Sequence, residues 1–402
     1  MKAIIKPSVL SGEIKAPPSK SMAHRLLISA GLANGESIIK NVDFSEDILA
    51  TLDCLKVMGA EIESDENTVR IKGVTPFISS EKIFSARESG STLRFFIPLL
   101  MLSDKPQMIT AEGRLAERPL SVYKKIAEDK GLYFKREGRI TEVCGKLRGG
   151  SFKVSGDISS QFISGLLFAL PLCEEDSTVE ITMPIESKSY IDMTIDALKC
   201  FGVSAEWQSE NKIFIKGNQK YESRKIAVEG DFSNSAFLEA FNLFGSKVAV
   251  KNLDDDSLQG DKIYKKYFSE LSSGASILDV SNCPDLAPVL MTIAAMKNGA
   301  TLTGTKRLEI KESDRAEAMK DELSKFGADI TVNEDSVIIR KTDLYTPTEK
   351  LVSHNDHRVV MALSVAASVF GGEIEGTEAV KKSYPDFFSD LKKLGAKIEL
   401  NR

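Results

Sequence analysis

The sequence predicts an α/β protein built from six copies of one unit of about 67 residues, grouped as two domains of three units each. Two landmarks support this interpretation. A polar cluster that opens a very apolar helix recurs six times along the chain. A helical segment that ends in glycine and runs into a strand recurs with it, and its glycines lie at intervals of 72, 71, 72, 53 and 68 residues, at Gly59, Gly131, Gly202, Gly274, Gly327 and Gly395.

Each unit is predicted to run strand, helix, strand, helix, strand. The first helix is apolar almost all round and should be buried. The second carries charge on one side, as in SVYKKIAEDK (121–130), and should face solvent. Stretches such as SIIKNV (37–42) alternate with the period of a half-buried strand. The glycine just past each second helix predicts a left-handed helix end.

Six units are too many for one hydrophobic core, which favours two domains. No linker rich in Pro, Gly or Ser marks the division. The best boundary lies near Glu229–Asp231, where the third unit ends.

Composition excludes several classes of protein. The formal net charge is −5, which argues against a general nucleic-acid binder. The five cysteines are widely spaced and form no CxxC pair, as in a cytoplasmic protein with reduced thiols. The first 20 residues lack the apolar core of a signal peptide, and no stretch approaches the roughly 20 apolar residues of a membrane span. We therefore expect a cytoplasmic protein with no membrane partner.

The polar helix starts are the first candidates for chemistry. A helix N-terminus attracts anions, and several starts add a cation, such as Lys20 and Arg25, Arg94, or Arg358. Taken singly, each is an ordinary cap or a solvated charge. One helix end contributes only about 0.3–1 kcal/mol, so a small polyanion has to recruit several of them together. The chain has three histidines and no ligand spacing around them, so we expect no metal site.

Seven motifs together resemble one family. They run in its order along the whole chain: PPSKSMAHR (17–25), SGSTLR (89–94), ERP (117–119), SSQF (159–162), KESDR (311–315), NDHR (355–358) and KSYPDF (382–387). The chain is thereby similar to the 5-enolpyruvylshikimate-3-phosphate (EPSP) synthases. The resemblance implies the two-domain enolpyruvyl transferase fold, an inside-out α/β barrel with three βαβαββ units per domain. It implies one domain of residues 1–16 plus 230–402, another of 17–229, and an active site in the cleft between them.

The resemblance also implies the reaction and its ligands. The family moves the enolpyruvyl group of phosphoenolpyruvate to the 5-hydroxyl of shikimate 3-phosphate and releases phosphate, on the way to chorismate and the aromatic amino acids. It places around shikimate 3-phosphate the residues Lys20, Ser21, Arg25, Ser159, Ser160, Gln161, Ser187, Asp285 and Lys311. It places around phosphoenolpyruvate the residues Lys20, Gly90, Arg118, Gln161, Arg315, Arg358 and Lys382.

Three of these residues carry catalytic roles by the same resemblance. Asp285 is the base for the attacking hydroxyl, Glu312 is the proton donor to the enol carbon, and Lys311 touches the hydroxyl and shares the base role. The two substrates bring about six negative charges, which converging Lys and Arg side chains offset. We expect no metal and no organic cofactor, and we expect a monomer.

The chain departs from the family pattern at several positions. Arg87-Glu88 replaces the GN of many relatives, and a carboxylate beside phosphoenolpyruvate needs a cation such as Arg87 to pair with it. Arg307 stands where one branch has a substrate-binding Asn, so that role is not transferred. PPSKS and Ser187-Lys188-Ser189-Tyr190 also differ from the common forms. Inhibition by glyphosate is expected, but whether the chain falls in the sensitive or the tolerant branch stays open.

Three other functions fit the sequence less well. The sister family that acts on UDP-N-acetylglucosamine carries a reactive Cys before its Arg-Pro, whereas residues 112–119 here contain none. A non-catalytic polyanion-binding protein would not need carboxylates such as Asp285 and Glu312 among its cations. RNA-end processing is disfavoured by the acidic net charge and by the absence of interleaved aromatic and basic residues.

Overall fold

The computed structural model describes residues 1–74 and 79–401. The chain divides into two compact units. The first, here called the split unit, consists of Met1–Pro17 and Gly230–Arg402. The second, called the continuous unit, is Pro18–Glu229. The first two strands of the chain are therefore packed with its C-terminal half.

The helices follow the predicted alternation of a buried and a half-exposed helix. They are α1 (Lys20–Leu32), α2 (Glu46–Met58), α3 (Gly90–Leu100), α4 (Ser121–Lys130), α5 (Ser160–Ala169), α6 (Lys188–Cys200), α7 (Phe232–Ala240), α8 (Tyr264–Ser273), α9 (Ala287–Met296), α10 (Arg315–Ser324), α11 (His357–Phe370) and α12 (Phe387–Lys393).

The strands are short, and many alternate between buried and exposed residues. They are β1 (Lys2–Lys6), β2 (Ser11–Lys15), β3 (Ala33–Asn34), β4 (Glu36–Lys40), β5 (Glu61–Asp65), β6 (Thr68–Lys72), β7 (Phe84–Ser85), β8 (Gln107–Thr110), β9 (Tyr133–Glu137), β10 (Ile140–Cys144), β11 (Gly150–Ser155), β12 (Ser177–Thr182), β13 (Ala205–Ser209), β14 (Lys212–Ile215), β15 (Tyr221–Glu222), β16 (Lys225–Ala227), β17 (Lys247–Lys251), β18 (Ser276–Asp279), β19 (Ala300–Thr303), β20 (Asp329–Val332), β21 (Ser336–Arg340), β22 (Leu351–Val352), β23 (Gly372–Glu375) and β24 (Lys397–Asn401).

The four-stranded sheets share one topology, in which the outer strand pairs parallel with the second and the remaining pairs are antiparallel. In the continuous unit the orders are β16-β4-β6-β5, β7-β8-β10-β9 and β11-β12-β14-β13. In the split unit they are β18-β19-β21-β20 and β22-β23-β1-β24. This recurrence is the structural counterpart of the sequence repeat.

The repeat that contains α7 and α8 differs from the others. In residues 1–74 and 79–401 its sheet consists of the parallel pair β2-β17, and no antiparallel hairpin joins it. Its landmark glycine, Gly274, precedes the next landmark glycine, Gly327, by only 53 residues. This interval is shorter than the others by about the length of one hairpin. Gly274 has φ 170°, which is extended backbone, so the predicted left-handed helix end is wrong there. Gly59, with φ 113°, and Gly131, with φ 66°, do take the predicted conformation.

The helices that open the repeats form the two cores. In the continuous unit α3 packs on α5, and Phe95 and Phe168 meet with ring centroids 5.4 Å apart. In the split unit α9 packs on α11 and α7, with Leu290 and Met361 fully buried. Because these helices are buried along their length, their polar first turns are fixed in place. Within the described residues, none of the helices is long and apolar enough to cross a membrane.

Candidate active site

In the continuous unit, the first turn of α1 presents Lys20. The Ser19 hydroxyl caps the helix and accepts a hydrogen bond from the Met22 amide at 3.3 Å. The Lys20 ammonium donates to the Asp47 carboxylate on α2 at 2.8 Å, and both side chains are largely buried. Ser21 follows Lys20 and is half-buried. The α1–α2 contact thus fixes the ammonium at the start of α1.

Arg25 lies one turn further along α1, and its side chain is buried. The guanidinium donates to the Thr194 hydroxyl at 2.9 Å, to the Tyr190 carbonyl at 2.8 Å and to the Ser21 carbonyl at 2.6 Å. Burial lowers its pKa to about 10, so the side chain stays charged at neutral pH. Its partners in the described residues are neutral, so the positive charge is held without a carboxylate.

Two further arginines converge on the start of α3. A Cβ atom added to Gly90 would lie 2.9 Å from Nη1 of Arg118 and 3.3 Å from Nη1 of Arg94, so a larger residue would displace the end of the Arg118 side chain. Arg94 is buried and donates to Gln161 Oε1 at 2.6 Å. Burial, reinforced by the Arg118 charge, holds the pKa of Arg94 well below its ordinary value. The Gln161 amide donates in turn to the Ser91 hydroxyl at 3.0 Å.

The predicted serines occupy two helix starts. Ser159 caps α5, and its hydroxyl accepts a hydrogen bond from the main-chain amide of Gln161 at 3.3 Å. Ser160 is the first residue of α5 and is buried. Ser187 immediately precedes α6, is buried, and has φ 55°, in the left-handed region. Hydroxyls at helix starts are suited to an anionic or hydroxylated ligand.

Arg87, which the sequence offers as a cation to pair with the adjacent Glu88, pairs with carboxylates on α2. Arg87, with φ 48°, donates to Glu46 at 2.8 Å and to Asp53 at 2.6 Å, both on α2. The Glu88 carboxyl packs against Gly113, where an added Cβ would lie 2.9 Å from its carboxyl carbon. Arg87 therefore anchors the segment to α2, a pairing that adjacent residues in the sequence do not reveal.

In the split unit, Asp285 lies at the centre of a cluster of cations. Its carboxylate accepts from Arg315 at 2.7 Å, from Arg358 at 3.4 Å and from Lys311 at 3.5 Å. Burial opposes ionisation of this carboxyl, but the charges of Lys311, Arg315 and Arg358 outweigh it and hold the pKa well below its ordinary value. Asp285 is therefore a carboxylate at neutral pH.

Asp356, which sequence reasoning did not assign, organises this cluster. Its fully buried side chain caps α11 by accepting from the Arg358 amide at 2.8 Å. It also accepts from Arg315 Nε at 2.9 Å and from the Ser313 hydroxyl at 3.2 Å. An Asp before an apolar helix is a recognisable cap, but its pairing with Arg315 depends on the fold.

The remaining residues of the split-unit cluster are held by neighbours to which the sequence analysis assigned no role. The Glu312 carboxylate lies 2.9 Å from His357 Nδ1. Arg358 also donates to the Asn234 side-chain oxygen at 3.0 Å. Lys382 donates to the Asn355 carbonyl at 2.8 Å. Arg307, whose role was left unassigned, is buried and donates to the Ser281 carbonyl at 2.6 Å.

Glu312, Asp356 and His357 present ligand atoms within 4.8 Å of one another, which raises the question of a metal. The donor set does not fit one. Both Asp356 oxygens already accept from the Arg315 guanidinium, at 2.9 and 3.4 Å. A divalent cation would have to displace or face this buried arginine, whose pKa is raised by Asp356 and Asp285 against the effect of burial. The cluster is better described as a carboxylate–guanidinium network.

The Asp356–Arg315 pair gives a stability prediction. We expect Asp356→Asn to lower the free energy of unfolding by about 3–5 kcal/mol, because it leaves a buried arginine short of a partner. Burial opposes ionisation of Asp356, but Arg315 keeps its pKa below the ordinary value. The stabilisation is therefore complete above the usual Asp pKa of about 3.9 and is lost as pH falls below it.

Urea unfolding monitored by circular dichroism at pH 7 and pH 3 measures this effect. The control is Asp329→Asn, which breaks an exposed pair with Arg340 and should cost about 1 kcal/mol or less. Equal losses in the two variants would contradict the assigned role of the buried pair.

Comparison with known proteins identifies the family. The sequence model of EPSP synthase (3-phosphoshikimate 1-carboxyvinyltransferase) matches residues 4–391. The 3-phosphoshikimate 1-carboxyvinyltransferase of Clostridium kluyveri is 43% identical, with 98% of this chain and 97% of that protein covered. The protein of the same name from Clostridium acetobutylicum is 42% identical, with 98% and 97% covered.

A solved structure of EPSP synthase from Acinetobacter baumannii superimposes with a TM-score of 0.81 at 24% sequence identity, with 100% of both chains covered. This likeness confirms the predicted α/β enolpyruvyl transferase fold. From the family match and the Clostridium relatives, which span nearly the whole chain, it follows that the chain belongs to the EPSP synthase family, the 3-phosphoshikimate 1-carboxyvinyltransferases.

Proposed function

We propose that the protein transfers the enolpyruvyl group of phosphoenolpyruvate to the 5-hydroxyl of shikimate 3-phosphate and releases inorganic phosphate. The observation that carries the proposal is the Asp285 cluster, in which one ionised carboxylate lies among Lys311, Arg315 and Arg358, together with the Glu312 carboxylate, which contacts His357 at the start of α11. A site that only bound anions would gain nothing from carboxylates in this position, since they repel the ligand. Acid–base chemistry on anionic substrates accounts for them.

The continuous unit is proposed to bind shikimate 3-phosphate through residues at its helix starts. The buried guanidinium of Arg25 and the ammonium of Lys20 supply charge, and the serine hydroxyls supply hydrogen bonds. The set consists of Lys20, Ser21, Arg25, Ser159, Ser160, Gln161 and Ser187, with Asp285 and Lys311 from the split unit.

Phosphoenolpyruvate is proposed to bind through Lys20, Gly90, Arg118, Gln161, Arg315, Arg358 and Lys382. The approach of Arg118 and Arg94 to Gly90 supports the assignment, because it places two guanidinium groups, which suit carboxylate and phosphate oxygens, at one helix start. We add Arg94 to the set for this reason. The proposed groups come from both the continuous and the split unit.

The chemistry follows from the charges in the cluster. Asp285, assisted by Lys311, takes the proton of the 5-hydroxyl as its oxygen attacks C2 of phosphoenolpyruvate, and Glu312 donates a proton to C3. The tetrahedral intermediate then returns a proton from C3 to Glu312, the C2–O bond to phosphate breaks as Asp285 gives its proton to the departing phosphate, and the C2–C3 double bond is restored. Anionic substrates binding to Arg315 and Arg358 offset the charge that lowers the pKa of Asp285, and so make it a better base when both are present.

Three finer properties belong to the proposal. Glyphosate, which occupies the phosphoenolpyruvate site in the family, is proposed as an inhibitor, since Gly90 presents no side chain where Arg118 and Arg94 approach. The protein is proposed to act as a cytoplasmic monomer. No metal or organic cofactor is assigned a step, and Arg315 already occupies both oxygens of Asp356, one of the carboxylates that could bind a metal.

Phosphate release from phosphoenolpyruvate, measured with and without shikimate 3-phosphate in the presence of a chelator, tests the proposal. We expect release that depends on shikimate 3-phosphate and persists with the chelator. No release while shikimate 3-phosphate still binds would contradict it. UDP-N-acetylglucosamine serves as the alternative acceptor, and we expect it to support no release.

A further inference from the structure

Arg136 is an arginine outside the predicted site that contacts the backbone next to Arg118. It lies on β9, where Lys135 and Glu137 are exposed and Arg136 is half-buried. Its guanidinium donates to the Arg118 carbonyl at 2.6 Å, to the Leu115 carbonyl at 3.3 Å and to the Ala116 carbonyl.

These acceptors lie at the end of a short 3₁₀ turn, Gly113–Ala116, and just beyond it. The last carbonyls of a helical turn lack partners within the turn and carry partial negative charge. A guanidinium suits them because its planar fork presents several donors at once. Within residues 1–74 and 79–401, Arg136 forms no ion pair, so its charge is directed to this backbone.

The other end of the same segment is also fixed. Gly113 has φ 51° and packs against the Glu88 carboxyl. The Glu112 amide donates to the Arg87 carbonyl at 2.7 Å. The segment 112–118 is thus held at both ends, and it delivers the Arg118 guanidinium to the start of α3, at Gly90.

We propose that Arg136 is a positioning residue for phosphoenolpyruvate, which acts by holding the segment 112–118 so that Arg118 meets the ligand. The inference rests on the proposed function, in which Arg118 binds phosphoenolpyruvate. Arg136 binds the main chain of this segment, so the effect of Arg136 on the substrate passes through Arg118. In the part of the chain that the structure describes, the acceptors of Arg136 are the carbonyls of Leu115, Ala116 and Arg118, none of which is proposed to bind shikimate 3-phosphate.

The test is Arg136→Met, which keeps the length of the side chain and removes its donors. We expect the KM for phosphoenolpyruvate to rise about tenfold or more, since charge-assisted hydrogen bonds to the segment are lost. The KM for shikimate 3-phosphate and kcat should change by less than about threefold. Arg136→Lys, which retains one cationic donor group, should recover part of the loss.

Two controls separate positioning from a general structural effect. Arg139→Met changes an exposed arginine in the turn that follows β9, and it should leave both KM values unchanged. In an Arg118→Lys background, Arg136→Met should raise the KM for phosphoenolpyruvate by less than about twofold further, because the group on which it acts is already altered.

Three results would overturn the inference. One is a KM for phosphoenolpyruvate within twofold of wild type in Arg136→Met. Another is an equal rise in both KM values, and the third is full additivity with Arg118→Lys. Phosphoenolpyruvate binding measured by calorimetry with shikimate 3-phosphate present gives the same comparison without turnover. A wild-type protein that binds both ligands but releases no phosphate would contradict the proposed function and leave this comparison valid.

Discussion

Asp285→Asn should release phosphate about 10³-fold more slowly than wild type. The substitution keeps the shape of the side chain but removes both the proton acceptor and the negative charge among three cations. General-base catalysis alone contributes about 10²–10⁴-fold. Steady-state phosphate release at saturating concentrations of both substrates measures the effect, and circular dichroism checks that the variant is folded.

Asp321→Asn is the matched control, because Asp321 is exposed on α10 and should retain wild-type turnover. Lys311 shares the contact with Asp285, at 3.5 Å, and we expect it to account for the residual rate. Turnover of Asp285→Asn within tenfold of wild type would exclude this carboxylate as the base.

Glu312→Gln should lower turnover at least about 100-fold with little loss of shikimate 3-phosphate binding, the range expected when a general acid is removed. In the wild-type protein the Glu312 carboxylate lies 2.9 Å from His357. Glutamine has the same shape and can keep this hydrogen bond, but it cannot deliver a proton to C3. Rapid-quench measurement of the first turnover locates the loss in the chemical step, and calorimetry measures binding of shikimate 3-phosphate.

The control for this variant is Glu317→Gln, on the first turn of α10, where the carboxylate pairs with Lys320 at the surface. It should match wild type in rate and in binding. An unchanged rate in Glu312→Gln would remove Glu312 from the mechanism, and a parallel loss of shikimate 3-phosphate binding would assign it to binding instead.

The local features of the site were predictable because each is encoded within one helical turn. Ser19, Ser89 and Ser159 precede apolar helices, and each accepts a hydrogen bond from an amide two or three residues on. Burial of the opening helices follows from their apolar composition. The resemblance of seven motifs to one family supplied the residue roles, which composition and periodicity could not have provided.

Some predictions required information that the local sequence does not carry. Gly274 follows a helix as the other landmark glycines do, yet it is extended, in the repeat that lacks a hairpin. The sequence offers Arg87 as a partner for the adjacent Glu88, but the Arg87 side chain donates to Glu46 and Asp53 on α2. In both places the neighbouring elements decide the conformation.

The sequence by itself determined the repeat, the family, the helix starts and most residues proposed to bind substrate. The tertiary structure decided how their charges are held. Arg25 meets Thr194 across 169 residues, and Arg315 meets Asp356 across 41. The physical reason is that a cap or an apolar face depends on residues within a few positions. A buried ion pair, or a guanidinium bound to a distant turn as at Arg136, exists only when folding brings separate segments together and removes water from between them.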